Sequence, residues 1–144
     1  MALAATGATH CPAPAQNSTG ALGALTAFGS SVVAEQRLHL AATSLPPGAL
    51  GLFLCSRTPG PSTAPGFPAP LCLGGSIGRF VSLAGHIDGS GVLLRTLDLT
   101  SFPQPAQSVA VQAGETWYFQ AWHRDVVAGA PGSGLSDGVA VTFQ

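Results

Sequence analysis

The chain has 144 residues, of which 46% are hydrophobic and only 8% charged, and its formal net charge is -1. This is the composition of one globular domain with a sizeable core, and it excludes a disordered chain, which combines low hydrophobicity with high net charge. The five basic residues are all arginines, scattered among the acidic ones, so a partner such as nucleic acid or an anionic membrane surface is not expected. No apolar stretch approaches the ~20 residues that span a bilayer, and membrane insertion is not expected either.

The beginning of the chain differs in composition from the rest. Residues 1–20 are rich in Ala, Gly, Ser and Pro, which predicts a linker-like N-terminal segment, tethered to the domain through Cys11. Residues 21–144 are expected to form a single β-sandwich domain. The first residues lack the basic start of a signal peptide. Either a signal has been removed or the chain is one module of a longer exported protein, and the linker composition favours the second.

The body of the chain alternates short apolar runs with turn signals, because 19 glycines and 12 prolines interrupt it and no sustained 3.6-residue period appears. This pattern predicts an all-β fold, an antiparallel β-sandwich of jelly-roll or immunoglobulin-like type with about eight or nine short strands. The predicted strands are 21–28, 31–34, 37–44, 49–57, 77–83, 91–99, 107–112, 116–124 and 138–143.

Alternation within two of these runs predicts which side chains are buried. In 37–44 the apolar positions that should face the core are Leu38, Leu40 and Ala42, with Arg37, His39 and Thr43 facing out. The run 49–55 is apolar at nearly every position. It is expected to be a central strand whose outer side is covered by a loop or a neighbouring element.

The run 116–124 supplies the candidate ligand-contact residues. One predicted face carries Trp117, Phe119, Ala121 and His123, and the other carries Tyr118, Gln120, Trp122 and Arg124. Because the two tryptophans have opposite parity, at most one of them lies inside a regular strand. Core packing is the simplest role for these aromatic residues, but sugar rings also bind on such platforms. Tyr118, Trp122 and Arg124 are therefore the candidate contacts for a ligand.

Two segments are predicted to be loops. Residues 58–70 contain repeated prolines, which remove hydrogen-bond donors and predict a long surface loop, either a partner-binding loop or an inert connector. Residues 126–137 are rich in Gly, Ala and Ser and are predicted to be a second loop. Asp125 and Asp137 flank it, but Ca²⁺ requires six to eight oxygen ligands. A structural role for Asp125, as a cap or as a partner of Arg124, is favoured over Ca²⁺ binding.

The three cysteines predict one disulfide and one free thiol if the protein is exported. Cys55 lies in the apolar run 49–55, where a free cysteine behaves as a small buried hydrophobic residue. Cys11 and Cys72 flank proline-rich segments, and we favour pairing them over leaving all thiols free. A metal site is not expected, because no Cys-x-x-Cys is present and the histidines at 10, 39, 86 and 123 lack ligand spacing.

Several short phrases together resemble a known but uncharacterised module. They are Cys11 followed by Asn17-Ser-Thr-Gly20, Leu45-Pro-Pro-Gly48, Gly51-Leu-Phe-Leu54, Leu71-Cys-Leu-Gly-Gly75, Gly114-Glu-Thr-Trp117, Phe119-Gln-Ala-Trp122-His-Arg-Asp125 and Ser136-Asp-Gly-Val-Ala-Val-Thr-Phe143. From about residue 11 to the end the chain is similar to a C-terminal module of large secreted proteins from planctomycete- and myxobacteria-type bacteria. The resemblance implies export, accessory status and two recurring cysteines that fall on Cys11 and Cys72. It brings no activity, cofactor or site residues, and Cys55 departs from its pattern.

One motif points to catalysis. Gly74-Gly-Ser76-Ile-Gly78 fits Gly-x-Ser-x-Gly, and Asp88 or Asp98 and then His123 follow in the chain order of a hydrolase triad. That chemistry requires a strand, a sharp turn and a helix around the serine, whereas the residues after Ser76 are strand-like. Hydrolysis by Ser76 is accordingly disfavoured.

Three functional hypotheses remain. The first is a non-catalytic accessory or attachment module of a secreted or cell-surface bacterial protein, which presents loops 58–70 and 126–137 to polysaccharide or to a neighbouring protein domain and needs no cofactor. The second is a structural assembly or sorting domain whose apolar strand 49–55 packs on another copy or domain. The third is the serine hydrolase.

Overall fold

The computed structural model describes residues 5–63 and 70–144, and over these ranges the protein consists of β-strands and two short 3-10 helices. The strands are β1 (Ala8–Cys11), β2 (Ala24–Gly29), β3 (Leu38–Thr43), β4 (Leu50–Ser56), β5 (Thr58–Ser62), β6 (Leu71–Gly74), β7 (Gly78–Arg79), β8 (Gly85–His86), β9 (Leu93–Thr96), β10 (Thr116–Val127) and β11 (Ala130–Thr142). The 3-10 helices are Val33–Glu35 and Val81–Leu83. No helix within the described ranges has the length and hydropathy to span a membrane.

The strands form an antiparallel β-sandwich, as the sequence predicts. One sheet has the order β2-β3-β9, and the other has the order β1-β11-β10-β4-β7, with β8 also pairing with β4. Strands β2, β3 and β9 correspond to strands A, B and E of an immunoglobulin-like sandwich, and β4, β10 and β11 correspond to C, F and G. Of the two predicted types, the strand order therefore follows the immunoglobulin-like one.

The main core lies between the two sheets. From the first sheet it receives the residues predicted from alternation in 37–44, namely Leu38, Leu40 and Ala42, all completely buried. From the second sheet it receives Trp117 and Phe119. Phe102 packs edge-to-face on both rings, with centroids 5.0 Å from Trp117 and 5.8 Å from Phe119. The inward face of the predicted strand 116–124 is therefore confirmed.

The prediction of a loop at 58–70 is wrong for the part of this segment that the structure describes. Residues 58–62 form β5, which pairs with β6 in a separate hairpin, while residues 64–69 lie outside the described residues. Proline is tolerated in β5 because, among the described residues, this strand pairs only with β6. Its other edge forms no hydrogen bonds to a second described strand, so the missing N–H donors of the prolines are not required there. The hairpin contributes a third layer on the outer face of the second sheet.

This third layer covers the apolar strand β4 from outside. A second apolar cluster, separate from the main core, contains Leu54, Leu71, Leu73 and Leu135, with Leu52, Ile77, Tyr118 and Trp122 packed against it. The prediction that the run 49–55 is central and covered on its outer side is confirmed. The assembly hypothesis loses the surface it invoked, since this strand is already buried within the chain.

A buried glutamine joins the second sheet to the third layer. Gln120 is fully buried on the outer side of β10. Its Oε1 accepts a hydrogen bond from the backbone N–H of Cys72 at 2.9 Å, and its Nε2 donates to the carbonyl of Ser136 at 2.7 Å. The amide side chain thereby satisfies one backbone group in β6 and another in β11.

The prediction of a second loop, at 126–137, is also wrong. Strand β10 continues to Val127 and β11 begins at Ala130, so the two strands are joined by a two-residue turn. Ala128 and Gly129 have φ values of 52° and 79°, the positive-φ pair of a tight hairpin turn. The Gly/Ser-rich composition misled the prediction, because cross-strand pairing holds these residues extended.

Other strand predictions require correction. The predicted strand 31–34 is not formed, and its last two residues begin the 3-10 helix Val33–Glu35. The predicted strand 77–83 holds only β7, followed by a second 3-10 helix. From 107–112 only Val109 makes a bridge, to Phe102. The strand predicted at 91–99 is shorter, spanning Leu93–Thr96.

The N-terminal segment 1–20 is more than a linker over its described part. Strand β1 pairs antiparallel with β11 at the edge of the second sheet. Ala5 forms a bridge with Phe28 of the first sheet. Asn17 closes a turn, because its Oδ1 accepts the backbone N–H of Thr19 at 2.9 Å and its Nδ2 donates to the Ser44 carbonyl. Residues 1–4 lie outside the described residues.

Candidate functional site

The three candidate ligand-contact residues lie on the outer face of the second sheet but in different surroundings. Tyr118 is half-buried and packs against His10, with ring centroids 4.9 Å apart. Trp122 is half-buried against the second apolar cluster. Arg124 is exposed, and its guanidinium carbon lies 6.0 Å from the centroid of the Trp122 ring. The structure therefore brings Arg124 to the ring of Trp122, while Tyr118 packs against His10 and against the same apolar cluster as Trp122.

A bulge and a long hairpin place Arg124 beyond the edge of the neighbouring strand. The register of β10 on β11 shifts between Gln120 and Trp122, and the last residue of β10 paired with β4 is His123, opposite Gly51. From Arg124 onward the hairpin pairs only with itself and projects past the sheet. Its projecting part leaves space on the side towards the start of β4.

A groove of about 570 Å³ occupies this space. One wall is the projecting hairpin, through Arg124 and the exposed Val126, and the other is the turn that leads into β4. The residues that define its character are Pro46, Pro47, Leu50, His86, Arg124 and Val126. The groove lies at the end of the sandwich where the β3–β4 and β10–β11 connections meet.

Asp125 borders the groove, but its carboxylate is already engaged. Oδ2 accepts the backbone N–H of Ser18 at 2.8 Å and Oδ1 accepts that of Val126 at 2.9 Å. Burial opposes ionisation of this group, but the hydrogen bonds from Ser18 and Val126, together with nearby His123, outweigh it and lower the pKa of Asp125. The sequence-based pairing with Arg124 is wrong, because consecutive residues of a strand point to opposite faces. Asp125 instead anchors the N-terminal segment to β10.

Asp137 is likewise engaged within the fold. It is half-buried on β11, and its Oδ1 accepts the backbone N–H of Leu25 in the first sheet at 2.6 Å. Burial raises the pKa of Asp137 despite this hydrogen bond. Both carboxylates considered for Ca²⁺ thus serve separate backbone amides.

His86 offers one ring nitrogen at the groove. The residue is exposed, and its Nδ1 lies 3.0 Å from the carbonyl oxygen of Gly48. A carbonyl can only accept, so Nδ1 carries the proton and donates it. The same bond fixes the ring on the turn that forms one wall of the groove, and Nε2 takes no part in it.

The residues proposed for a hydrolase triad are not assembled. Ser76 is exposed and is followed by strand β7, so the strand–turn–helix geometry of a nucleophile elbow is not formed there. His123 is buried and its Nδ1 bonds to the carbonyl of Arg124 at 2.9 Å. Among the described residues, no hydrogen bond connects Ser76 with His123, Asp88 or Asp98.

The disulfide predicted between Cys11 and Cys72 is present, with Cα atoms 6.1 Å apart, and it connects β1 to β6. Cys55 is a buried free thiol whose Sγ donates to the Pro103 carbonyl at 3.5 Å. Burial raises the pKa of Cys55 to about 12. His10 lies beside the disulfide, within 4.8 Å of both sulfurs. Metals bind thiolates, and both sulfurs here are bonded to each other.

No family model, no curated protein and no solved structure matches the chain. The groove therefore has to be interpreted from its own chemistry. Of the predicted ligand-contact residues, Arg124 lines the groove, and Pro46, Pro47 and His86, which line it too, were not predicted as contacts. The phrase Leu45-Pro-Pro-Gly48 signalled a turn, but nothing local indicated which strand end it would face.

Proposed function

We propose that the chain is a non-catalytic attachment module of a secreted or cell-surface protein, and that it binds polysaccharide in the groove beside Arg124. The groove is the observation that carries the proposal. Its volume of about 570 Å³ is within the range of about 300–1,000 Å³ typical of ligand sites. It is large enough for a few sugar rings at the open end of a rigid sandwich.

The lining suits a sugar better than a wholly apolar ligand. Pro47, Leu50 and Val126 supply apolar surface for the C–H face of a pyranose ring. Arg124 and His86 supply polar groups at the margins, as sites that orient a ligand do. The Cys11–Cys72 disulfide supports export, since such bonds persist mainly in oxidising compartments. The resemblance to a module of large secreted bacterial proteins points the same way.

Affinity electrophoresis on gels containing soluble polysaccharides tests the proposal. Retardation of the wild type, weakened by Leu50→Asp in the groove and unchanged by Leu94→Asp on the opposite sheet, is expected. Leu94 is a matched control because it is an exposed leucine of a strand in the other sheet and is not among the residues that line the groove. Equal mobility on all gels, with and without polysaccharide, would contradict carbohydrate binding.

A second candidate, an assembly domain, is favoured by a different surface from the one first expected. The outer face of the first sheet carries no Lys, Arg, Asp or Glu at its outward positions, which are Ala24, Thr26, Phe28, His39, Ala41, Thr43, Leu94 and Thr96. A face without formal charge can meet its own copy about a two-fold axis without like-charge repulsion. We propose a second copy as its occupant in this alternative.

Sedimentation velocity over a range of concentrations tests the assembly candidate. A monomer–dimer shift that Leu94→Lys abolishes and Leu22→Lys leaves intact is expected, because Leu94 is 52% exposed on this face and Leu22 is 53% exposed outside the sheets. A monomer at every concentration would remove the assembly function.

A further inference from the structure

Arg124 is an exposed cation that has no anionic partner among the described residues. The ion pairs among the described residues join Arg37 to Glu35 and Arg57 to Glu115. For the guanidinium of Arg124, the described residues supply only the contact with the Trp122 ring, at 6.0 Å. An unpaired guanidinium at the wall of a groove retains its five hydrogen-bond donors for a ligand.

The acidic side chains near Arg124 in the chain and in the groove do not compete for it. Asp125 accepts two backbone amides and its pKa is lowered, so it is ionised but satisfied within the fold. Asp88, two residues beyond His86, accepts the backbone N–H groups of Ser90 and Val92 through one oxygen. The groove thus presents one free cation and no free carboxylate among its described lining residues.

Trp122 lies at cation–π distance from the guanidinium of Arg124, whose carbon is 6.0 Å from the ring centroid. The indole ring is fixed in the second apolar cluster, where it packs against leucines of β4, β6 and β11. A guanidinium that rests on an aromatic face gains cation–π attraction and loses little further rotamer freedom on binding. The arrangement suits a planar anion that takes two parallel N–H bonds, which is the geometry of an arginine–carboxylate pair.

We infer that the groove selects acidic polysaccharide, with Arg124 binding the carboxylate of a uronic acid residue while Pro47 and Leu50 contact the ring. This inference rests on the proposed function and names its ligand class. A single cation in an apolar groove fits a carboxylate attached to a sugar ring. Binding of nucleic acid requires several basic side chains clustered on one surface, and the lining of the groove provides one arginine.

The test compares polygalacturonate with its fully methyl-esterified form, which keeps the backbone and removes the charge. Alginate and hyaluronan serve as further uronate polymers, and xylan serves as a neutral one. Isothermal titration is expected to show preference for the charged polymers. Arg124→Gln is expected to reduce affinity for them about tenfold or more, because hydrogen bonds to charged groups contribute about 1.5–3 kcal/mol. Arg124→Lys, which keeps the charge but loses the planar fork, should fall in between.

The control variant is Arg37→Gln, which removes the same charge from an arginine that is already paired with Glu35. It is expected to leave affinity unchanged. Equal binding of the charged and esterified polymers, or equal losses from Arg37→Gln and Arg124→Gln, would overturn the inference while the attachment function stands. Absence of binding to every polysaccharide would instead remove the proposed function itself.

Discussion

Replacing Gln120 by leucine removes the polar link between the second sheet and the third layer. The substitution keeps most of the side-chain volume but deletes both hydrogen bonds, those to the Cys72 N–H and the Ser136 carbonyl. Two buried backbone groups then lose their partners, and each such group costs about 1–3 kcal/mol. The gain from burying leucine in place of an amide offsets part of this. We expect a net loss of about 2–4 kcal/mol in the free energy of unfolding.

Urea denaturation followed by tryptophan emission, to which the buried Trp117 and the half-buried Trp122 both contribute, measures this loss. A domain of this size has a stability of about 5–15 kcal/mol, so the expected shift in midpoint is large. Gln112→Leu is the matched control, because Gln112 is exposed and its side chain has no hydrogen bond among the described residues. If Gln120→Leu unfolds within about 0.5 kcal/mol of the wild type, the two bonds do not hold the third layer and the reasoning fails.

Two further predictions concern cysteines and pH. The Cys11–Cys72 bond closes a separation of 61 residues, so its removal should cost about 4 kcal/mol in the chain-entropy model. In a non-reducing peptide map these cysteines should remain joined, with Cys55 alkylated only after denaturation; native alkylation of all three would contradict this. Burial raises the pKa of Asp137 in the folded state above 3.8, its ordinary value. Above pH 3.8 the folded protein therefore holds a proton that the unfolded chain has lost, and the free energy of unfolding falls as the pH rises through the folded-state pKa. Asp137→Asn should remove this fall and be relatively more stable at neutral pH, as denaturation across pH would show; parallel curves would refute it.

Alternation predicted the core where one face of a strand is buried. In β3 the alternate residues Leu38 and Leu40 are completely buried, and in β10 the alternate residues Trp117 and Phe119 are completely buried as well. The prediction failed where composition is dominated by residues of loop type. Pro59 and Pro61 lie in β5, which is stabilised by its pairing with β6, and that contact is invisible in local sequence.

The site was only half predictable for a related reason. Trp122 and Arg124 were predicted as contacts because their parity places them on the outer face of β10. The groove also requires the turn before β4, which lies some seventy residues earlier in the chain and reaches Arg124 only through the antiparallel pairing of β4 with β10. Long-range register of this kind cannot be inferred from the spacing of residues within one segment.

Trp122 contacts both the third layer, through the second apolar cluster, and Arg124 in the wall of the groove. Cys72 lies between Leu71 and Leu73 of β6, which pack with Trp122 in the second apolar cluster, and the disulfide fixes this strand to β1. Removing the disulfide by Cys11→Ser should therefore loosen the support of the indole ring and weaken the preorganisation of Arg124. We expect the affinity of Cys11→Ser for polygalacturonate to fall, but by less than the affinity of Arg124→Gln falls. The measurement is made without urea, after circular dichroism has shown that the variant is folded. Unchanged affinity in a folded Cys11→Ser variant would mean that Arg124 is positioned by β10 alone.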